Sequence, residues 1–183
     1  MKPINNYENV QASTGEFARP TAGGYICQII DVEDVPLDPN TKKGDYLRIE
    51  YDIADGEFKG YYKEQFDRWG GNWNASFIRS YKEKALGMLK HFTNCIEQSN
   101  AGYAWDWNEK GLIGKVVGLV LGEEEYQNNA GEIKTKLVVS QVKTVEDIKN
   151  GNFKVPAPKK LTTQSSTNDF VPLAPATDDD LPF

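Results

Sequence analysis

A strict alternation of apolar and polar-face residues over residues 45–53 is the feature that most constrains the fold of this chain. The apolar members are Leu47, Ile49, Tyr51 and Ile53, and Tyr46, Arg48, Glu50 and Asp52 alternate with them. Successive side chains of a β-strand point to opposite faces, so this period of two predicts a strand with one buried face and one wet face. Residues 25–31 also have the composition of a strand.

The segments that follow predict more strands and one helix. Asp-Gly at 55–56 predicts a tight turn, and residues 59–66 are interpreted as the returning strand of a hairpin. Over residues 75–98 apolar residues recur at steps of three or four, which predicts an amphipathic helix. Two further strands are predicted over 112–121 and 132–142, joined by a turn that contains Asn and Gly.

The predicted order of elements is strand, strand, strand, helix, strand, strand. This order is typical of the OB-fold, a partly open five-stranded barrel that commonly holds oligonucleotides across its second and third strands. We therefore predict a mainly β protein with one helix, in which residues 1–150 form an OB-fold nucleic-acid-binding domain. Other small α+β domains share this order, and a fold does not specify a function.

The composition changes after about residue 150. Residues 151–183 contain five prolines and a polar run at 162–168, and they include few residues that could form a core. Such a composition predicts a disordered tail that carries its last residues away from the domain.

The formal net charge of −6 limits how this chain could bind nucleic acid. Overall basicity is excluded, so any DNA-binding cations must be gathered locally. Residues 59–84 meet this condition, because they include six basic and only three acidic residues. Seven aromatic residues are interleaved with these charges, which supplies the rings and cations that a single-strand groove requires.

Two tryptophans flank Gly-Gly at 68–73, and this segment is predicted to be a flexible loop. The rings either stack on bases or plug an end of the barrel. Tyr46 and Arg48 lie on the polar side of their strand, so both are expected to be exposed. The predicted nucleic-acid-binding residues are Tyr46, Arg48, Lys63, Arg68, Trp69, Trp73 and Arg79.

A second aromatic cluster lies between the predicted helix and the fourth strand. Its members, Tyr103, Trp105 and Trp107, alternate along the chain, so the three rings could share one face. This cluster is either a lid over the barrel or a stacking platform for further nucleotides.

Catalysis and metal binding find little support in the sequence. His91 is the single histidine, and no sequence neighbour is placed to orient it. Cys27 and Cys95 lie far apart without a CxxC or Cys/His arrangement, so both are predicted to be buried apolar residues. We predict that the protein is not an enzyme and has no catalytic residues, metal or cofactor.

Membrane insertion and secretion are not expected either. No stretch approaches the roughly 18 consecutive apolar residues of a spanning helix. The first seven residues lack the basic start and apolar run of a secretory signal. A location in the cytoplasm is therefore expected.

The last six residues carry the most specific motif, and they are Asp178, Asp179, Asp180, Leu181, Pro182 and Phe183. This acidic run before Leu-Pro-Phe resembles the C-terminal tip of bacterial and phage single-stranded DNA-binding proteins. The resemblance implies docking onto replication, recombination and repair proteins. A terminal ring suits an apolar pocket, and the carboxylates suit a basic rim around it.

The body of the chain is nearer in style to replication-module proteins of phages that infect Gram-positive bacteria. The combined prediction is a phage protein of the bacterial cytoplasm that coats single-stranded DNA in replication or recombination and recruits partners through its tip. The alternative is an acidic DNA mimic, or a factor that captures a host protein, without its own DNA groove. Self-association as a homo-oligomer is left open.

Overall fold

The computed structural model describes residue 5, residues 7–9 and residues 18–161. Its strands are β1 (Gly23–Val35), β2 (Tyr46–Ile53), β3 (Ser76–Ser80), β4 (Val116–Gln127) and β5 (Ile133–Lys143). Its α-helices are α1 (Tyr61–Trp69), α2 (Leu86–Ser99) and α3 (Val145–Lys149). The protein is mainly β, as predicted, but the described part contains more than the one predicted helix.

The five strands form one antiparallel sheet in the order β3-β2-β1-β4-β5. β1 is central, because its 13 residues pair with β2 on one side and with β4 on the other. The alternation in β2 is confirmed, since its four apolar side chains are at most 2% exposed. These side chains form one face of the core, and α2 supplies the opposing apolar face.

α2 packs across the open side of the sheet. It contacts β3, β4 and β5, so it reaches both edge strands. The Phe92 ring lies 5.7 Å from that of Phe77 in β3, and the His91 Nε2 atom lies 3.0 Å from the Val142 carbonyl oxygen in β5. Within the described residues, β3 and β5 do not pair with each other, and the sheet is open rather than closed into a barrel.

The predicted strand over residues 59–66 is wrong, because this segment forms α1. Gly60 has φ of 75°, a left-handed conformation that turns the chain into the helix. The Asp52 carboxylate then accepts hydrogen bonds from the backbone N–H groups of Tyr62 (3.0 Å) and Lys63 (3.1 Å). Asp52 is distant in sequence, so local periodicity could not indicate this helix cap.

The third strand of the sheet is β3, which lies inside the segment predicted as a helix over 75–98. It pairs with β2 from Tyr46↔Ser80 to Glu50↔Ser76, and α2 begins only at Leu86. The helical spacing that included Ile78 was misleading, because Ile78 lies on the outer face of β3 and is 53% exposed.

β4 and β5 confirm the last two predicted strands, with shifted bounds. The chain then crosses back over β4 instead of leaving the domain. The Phe153 ring lies against Gly24, where a Cβ would be 2.4 Å from it. The Lys159 N–H donates to the Glu123 carbonyl, and the Glu125 N–H donates to the Lys159 carbonyl, both at 2.9 Å.

Packed chain therefore continues beyond the predicted domain boundary at residue 150. We call residues 152–161 the C-terminal strap. The remainder of the predicted tail, including the tip at 178–183, lies outside the described residues.

Candidate nucleic-acid interface

α1 is fixed to the end of β2 and presents its other side to solvent. The buried Asp52 carboxylate holds its first turn, and the Tyr62 ring packs against Tyr51 with centroids 5.6 Å apart. Three predicted site residues, Lys63, Arg68 and Trp69, are exposed on this helix. We refer to Lys63, Arg68 and Trp69 as the α1 cluster.

The α1 cluster combines an exposed ring with two cations. Trp69 is 62% exposed, and the Arg68 guanidinium lies 5.6 Å from its ring centroid. Lys63 pairs with Asp67, and Arg68 pairs with Glu64 at 2.8 Å. Exposed pairs at this spacing contribute about 0.3–0.5 kcal/mol, so a phosphate could displace either carboxylate at little cost.

Trp73 has a different environment from Trp69. It is half-buried, its Nε1–H donates to the Tyr51 carbonyl at 2.9 Å, and its ring lies 5.7 Å from Phe66. The predicted loop begins only after Trp69, where Gly70 and Gly71 have φ of 65° and 90°. The geometry thus assigns Trp73 to packing and keeps Trp69 as the exposed ring.

Two clefts of about 330 Å³ each flank α1, and Tyr61 and Gln65 line both of them. The basic residues of the first cleft are Lys59 and Arg68, and those of the second are Arg19 and Lys136. Sequence reasoning missed Arg19 and Lys136, because only the tertiary fold brings them beside α1. Acidic residues also line the clefts, Glu57 and Glu64 the first and Glu123 the second, so the fold adds two cations near α1 without making either cleft purely basic.

Arg48 and Tyr46 lie away from α1. Arg48 is on the outer face of β2, and Tyr46 begins β2 at the end far from α1. The Arg48 guanidinium lies 2.9 Å from a Glu50 oxygen and 3.6 Å from a Glu33 oxygen. Burial raises the pKa of Glu50, Arg48 opposes that shift, and Asp31 and Glu33 reinforce it. This face is consequently acidic, and the charge of Arg48 is already compensated.

Arg79 lies on the inner face of β3, opposite to the face that carries Arg48. Its guanidinium lies 4.7 Å from the Phe77 ring centroid and 5.9 Å from that of Phe92. Burial lowers the pKa of Arg79 to about 10. The seven predicted site residues therefore do not form one surface. Arg68 and Trp69 are in contact, Lys63 is exposed on the same helix, and Trp73 packs against Phe66 of α1.

The tryptophans of the second aromatic cluster differ in exposure. Trp105 is half-buried, and its backbone N–H donates to Glu97 of α2 at 2.7 Å. Trp107 is 80% exposed, its ring lies 6.1 Å from that of Trp105, and it has φ of 65°, which is uncommon for a residue with a side chain. Both rings line an open cavity of about 500 Å³ together with residues of α2 from Leu86 to Glu97.

The fold brings together a histidine and a cysteine, His91 and Cys95, a pair that the sequence did not predict. The Cys95 Sγ atom lies 3.6 Å from His91 Nε2, but Nε2 also contacts the Val142 carbonyl. Because a carbonyl only accepts, Nε2 carries the hydrogen there and cannot take the thiol proton. Burial raises the pKa of Cys95 as well, so the pair lacks the features of an activated nucleophile.

The residues that the structure describes contain no group of three or more His, Cys, Asp or Glu side chains arranged to hold a metal ion. None of their helices has the length and apolar character needed to cross a membrane. No protein-family model matches the chain, and a search of curated proteins finds no match to it.

Proposed function

We propose that this protein binds single-stranded DNA through the α1 cluster and recruits replication, recombination and repair proteins through the tip at 178–183. The observation that carries the DNA-binding proposal is the exposed Trp69 ring with the Arg68 guanidinium beside it, on a helix that also exposes Lys63, in a chain of net charge −6. An exposed ring can stack on an unpaired base, and the adjacent cations can contact phosphates. We further propose that the protein acts without catalysis, in the cytoplasm of a bacterial host that carries a phage.

We also propose that this open sheet belongs to the OB-fold, whose five-stranded barrel is only partly closed. In support, β1 pairs with both β2 and β4, and α2 reaches the edge strands β3 and β5. The gap that α2 bridges is where a closed barrel would pair its edges.

Two kinds of contact contribute to the binding free energy, base stacking on Trp69 and phosphate contacts of the cations. Stacking one base on Trp69 contributes about 1–3 kcal/mol, with little dependence on sequence. Each phosphate contact of Lys63, Arg68 or the flanking Arg19 and Lys136 makes binding weaker at higher salt. The acidic outer face around Arg48 repels the strand, so the path of the DNA is expected to follow α1.

The experiment compares Trp69→Ala with Trp107→Ala, because both rings are exposed and neither variant removes a buried side chain. Fluorescence anisotropy of an end-labelled oligo-dT gives the affinity at several salt concentrations. A labelled duplex of the same length measures the preference for single strands. Trp69→Ala is expected to weaken binding roughly 5- to 150-fold, which is the stacking contribution expressed as a ratio of Kd values.

The control variant, Trp107→Ala, is expected to bind with the affinity of the native chain. Equal affinities of the native chain and Trp69→Ala would refute the role of the α1 cluster. A loss in Trp107→Ala alone would move the stacking platform to the second aromatic cluster. Equal affinity for duplex and single strand would refute stacking as the basis of binding.

The proposed role of the tip is tested by deleting residues 178–183. Extract from a bacterial host is passed over the immobilised full chain and over the shortened chain. Replication, recombination or repair proteins are expected to be retained by the full chain only. Identical retention by both chains would refute the proposal, and DNA binding by the shortened chain shows that its domain is intact.

One observation favours the alternative of an acidic protein that mimics DNA or captures a host protein. The outer face of β1 and β2 presents Asp31, Glu33 and Glu50 against two cations, since Arg48 pairs with Glu33 and Glu50 and Lys110 pairs with Asp31 at 3.4 Å. In that case the native chain would not bind oligo-dT, and it would compete with DNA for a DNA-binding host protein. The anisotropy measurement therefore separates the two functions.

A further inference from the structure

A cavity of about 310 Å³ lies where the two edges of the sheet approach each other. Arg79 of β3 lines one side, Lys143 of β5 lines the other, and His91 and Met88 of α2 line the floor. We call it the seam cavity. Its volume is at the low end of the range for ligand sites, so it suits a small group rather than a large molecule.

Arg79 is a partly buried cation without a counter-ion. Among the described residues, no carboxylate lies within 4 Å of it, and its one hydrogen bond runs from Nη1 to the Ile78 carbonyl at 2.9 Å. Rings of Phe77 and Phe92 replace part of its hydration. A guanidinium that loses water without gaining an anion is costly, so this position favours an anionic ligand.

Lys143 is a second cation that lines the same cavity, and it forms no ion pair within 4 Å with any residue that the structure describes. Hydrogen bonds from Thr144 lower the pKa of the nearby Asp147 carboxylate, and its electrostatic attraction to Lys143 helps to lower that pKa. Asp147 is held as the cap of α3, where it accepts hydrogen bonds from the Thr144 hydroxyl at 2.8 Å and the Thr144 backbone N–H at 3.3 Å, and it does not line the cavity. The cavity lining therefore contains two cations and no carboxylate.

We infer that the seam cavity binds a phosphate group between Arg79 and Lys143. A phosphate carries about −1.5 to −2 charges and three strong acceptor oxygens, which matches two cations on opposite walls. The phosphate could belong to a free phosphate compound or to the backbone of a bound strand. This site is separate from the α1 cluster and does not depend on it.

The test is calorimetric titration of the full chain with inorganic phosphate at constant ionic strength. The variants Arg79→Met and Lys143→Met remove one cation each, and Lys43→Met is the matched control for loss of a surface charge, because Lys43 is exposed and lies outside both proposed sites. Arg79→Met keeps an apolar side chain against Phe77 and removes a poorly solvated charge, so it is expected to fold. Circular dichroism verifies folding of each variant, and Lys143→Met provides the test if Arg79→Met does not fold.

The native chain and Lys43→Met are expected to bind one phosphate saturably, whereas the two seam variants lose at least tenfold in affinity. Nonspecific heat from the added salt would not saturate and would be equal in all four proteins. Absence of saturable binding to the native chain, or binding by both seam variants with the affinity of the native chain, would overturn the inference.

Two further ligands distinguish the sources of the phosphate. Weaker binding of oligo-dT by Arg79→Met than by the control Lys43→Met would support a backbone phosphodiester in the seam cavity. Unchanged oligo-dT binding together with lost dTMP binding would support a phosphate monoester. Since inorganic phosphate is tested without DNA, failure of the DNA-binding proposal does not affect the outcome.

Discussion

Replacing Trp73 with alanine is expected to destabilise the fold far more than replacing Trp69. Truncating a fully buried Trp costs about 3–5 kcal/mol, and half-burial of Trp73 reduces this to about 1.5–2.5 kcal/mol. The lost hydrogen bond from Nε1 to the Tyr51 carbonyl adds about 1 kcal/mol. The expected total for Trp73→Ala is therefore about 2–4 kcal/mol. Trp69 is 62% exposed, and Trp69→Ala is expected to change stability by less than about 0.5 kcal/mol.

Urea unfolding followed by circular dichroism measures both changes without relying on the fluorescence of the replaced residues. The variant Trp73→Phe is the matched control, because it keeps a ring beside Phe66 and removes only the indole donor. It is expected to lose about 1 kcal/mol from the hydrogen bond, and somewhat more from the smaller ring. Equal destabilisation by Trp73→Ala and Trp69→Ala, or a larger effect at Trp69, would refute the assignment of Trp73 to packing.

Three further predictions concern burial and packing away from the α1 cluster. Cys27 and Cys95 are 0% and 4% exposed, and burial raises the pKa of both thiols, so a thiol reagent at pH 8 is expected to modify them only after unfolding in urea; rapid modification of the native chain would contradict this. Asp52→Asn is expected to cost about 1–2 kcal/mol in urea unfolding, because a charged acceptor of three backbone N–H groups is lost; unchanged stability would contradict its role in holding α1. Phe153→Ala and Gly24→Ala are each expected to loosen the C-terminal strap, which limited proteolysis would detect as faster cleavage within 152–161; unchanged cleavage in both would show that the strap does not depend on this contact.

Long alternating strands could be predicted from the sequence because their pattern reports burial directly. The sequence of β2 alternates over all eight residues and its apolar side chains are buried, although Asp52 on the opposite face is buried as well because it caps α1. β4 and β5 were also predictable as a pair, since apolar stretches flank a turn rich in Asn and Gly. In each case local sequence and tertiary burial agree, which makes the local signal reliable.

α1 and β3 could not be predicted because distant residues decide both elements. The first turn of α1 depends on the Asp52 side chain, and β3 exists only because β2 offers an edge to pair with. β3 has only five residues, too few to establish a period of two against the helical spacing that begins nearby. The two errors compensate each other in the strand count. The predicted strand at 59–66 is the helix α1, and the start of the predicted helix at 75–98 contains the strand β3, so five strands were predicted and five are found in the described residues.

The candidate site was predictable only where its residues are close in sequence. Lys63, Arg68 and Trp69 were found as neighbours within one basic and aromatic segment. Arg19 and Lys136 reach the same region only through the fold, so composition could not include them. Arg79 was included by composition, but the pleat of β3 turns it inward to the seam cavity.

The most direct measurement of the central claim uses a chain in which Trp69 is the single tryptophan. Trp73, Trp105 and Trp107 are replaced by Phe, and the fluorescence of Trp69 is followed during titration with unlabelled oligo-dT. We predict saturable quenching that is reversed by added salt, because stacking on a base quenches the ring and salt weakens the phosphate contacts. Binding detected by anisotropy without any change in Trp69 fluorescence would contradict the claim that the α1 cluster holds the strand.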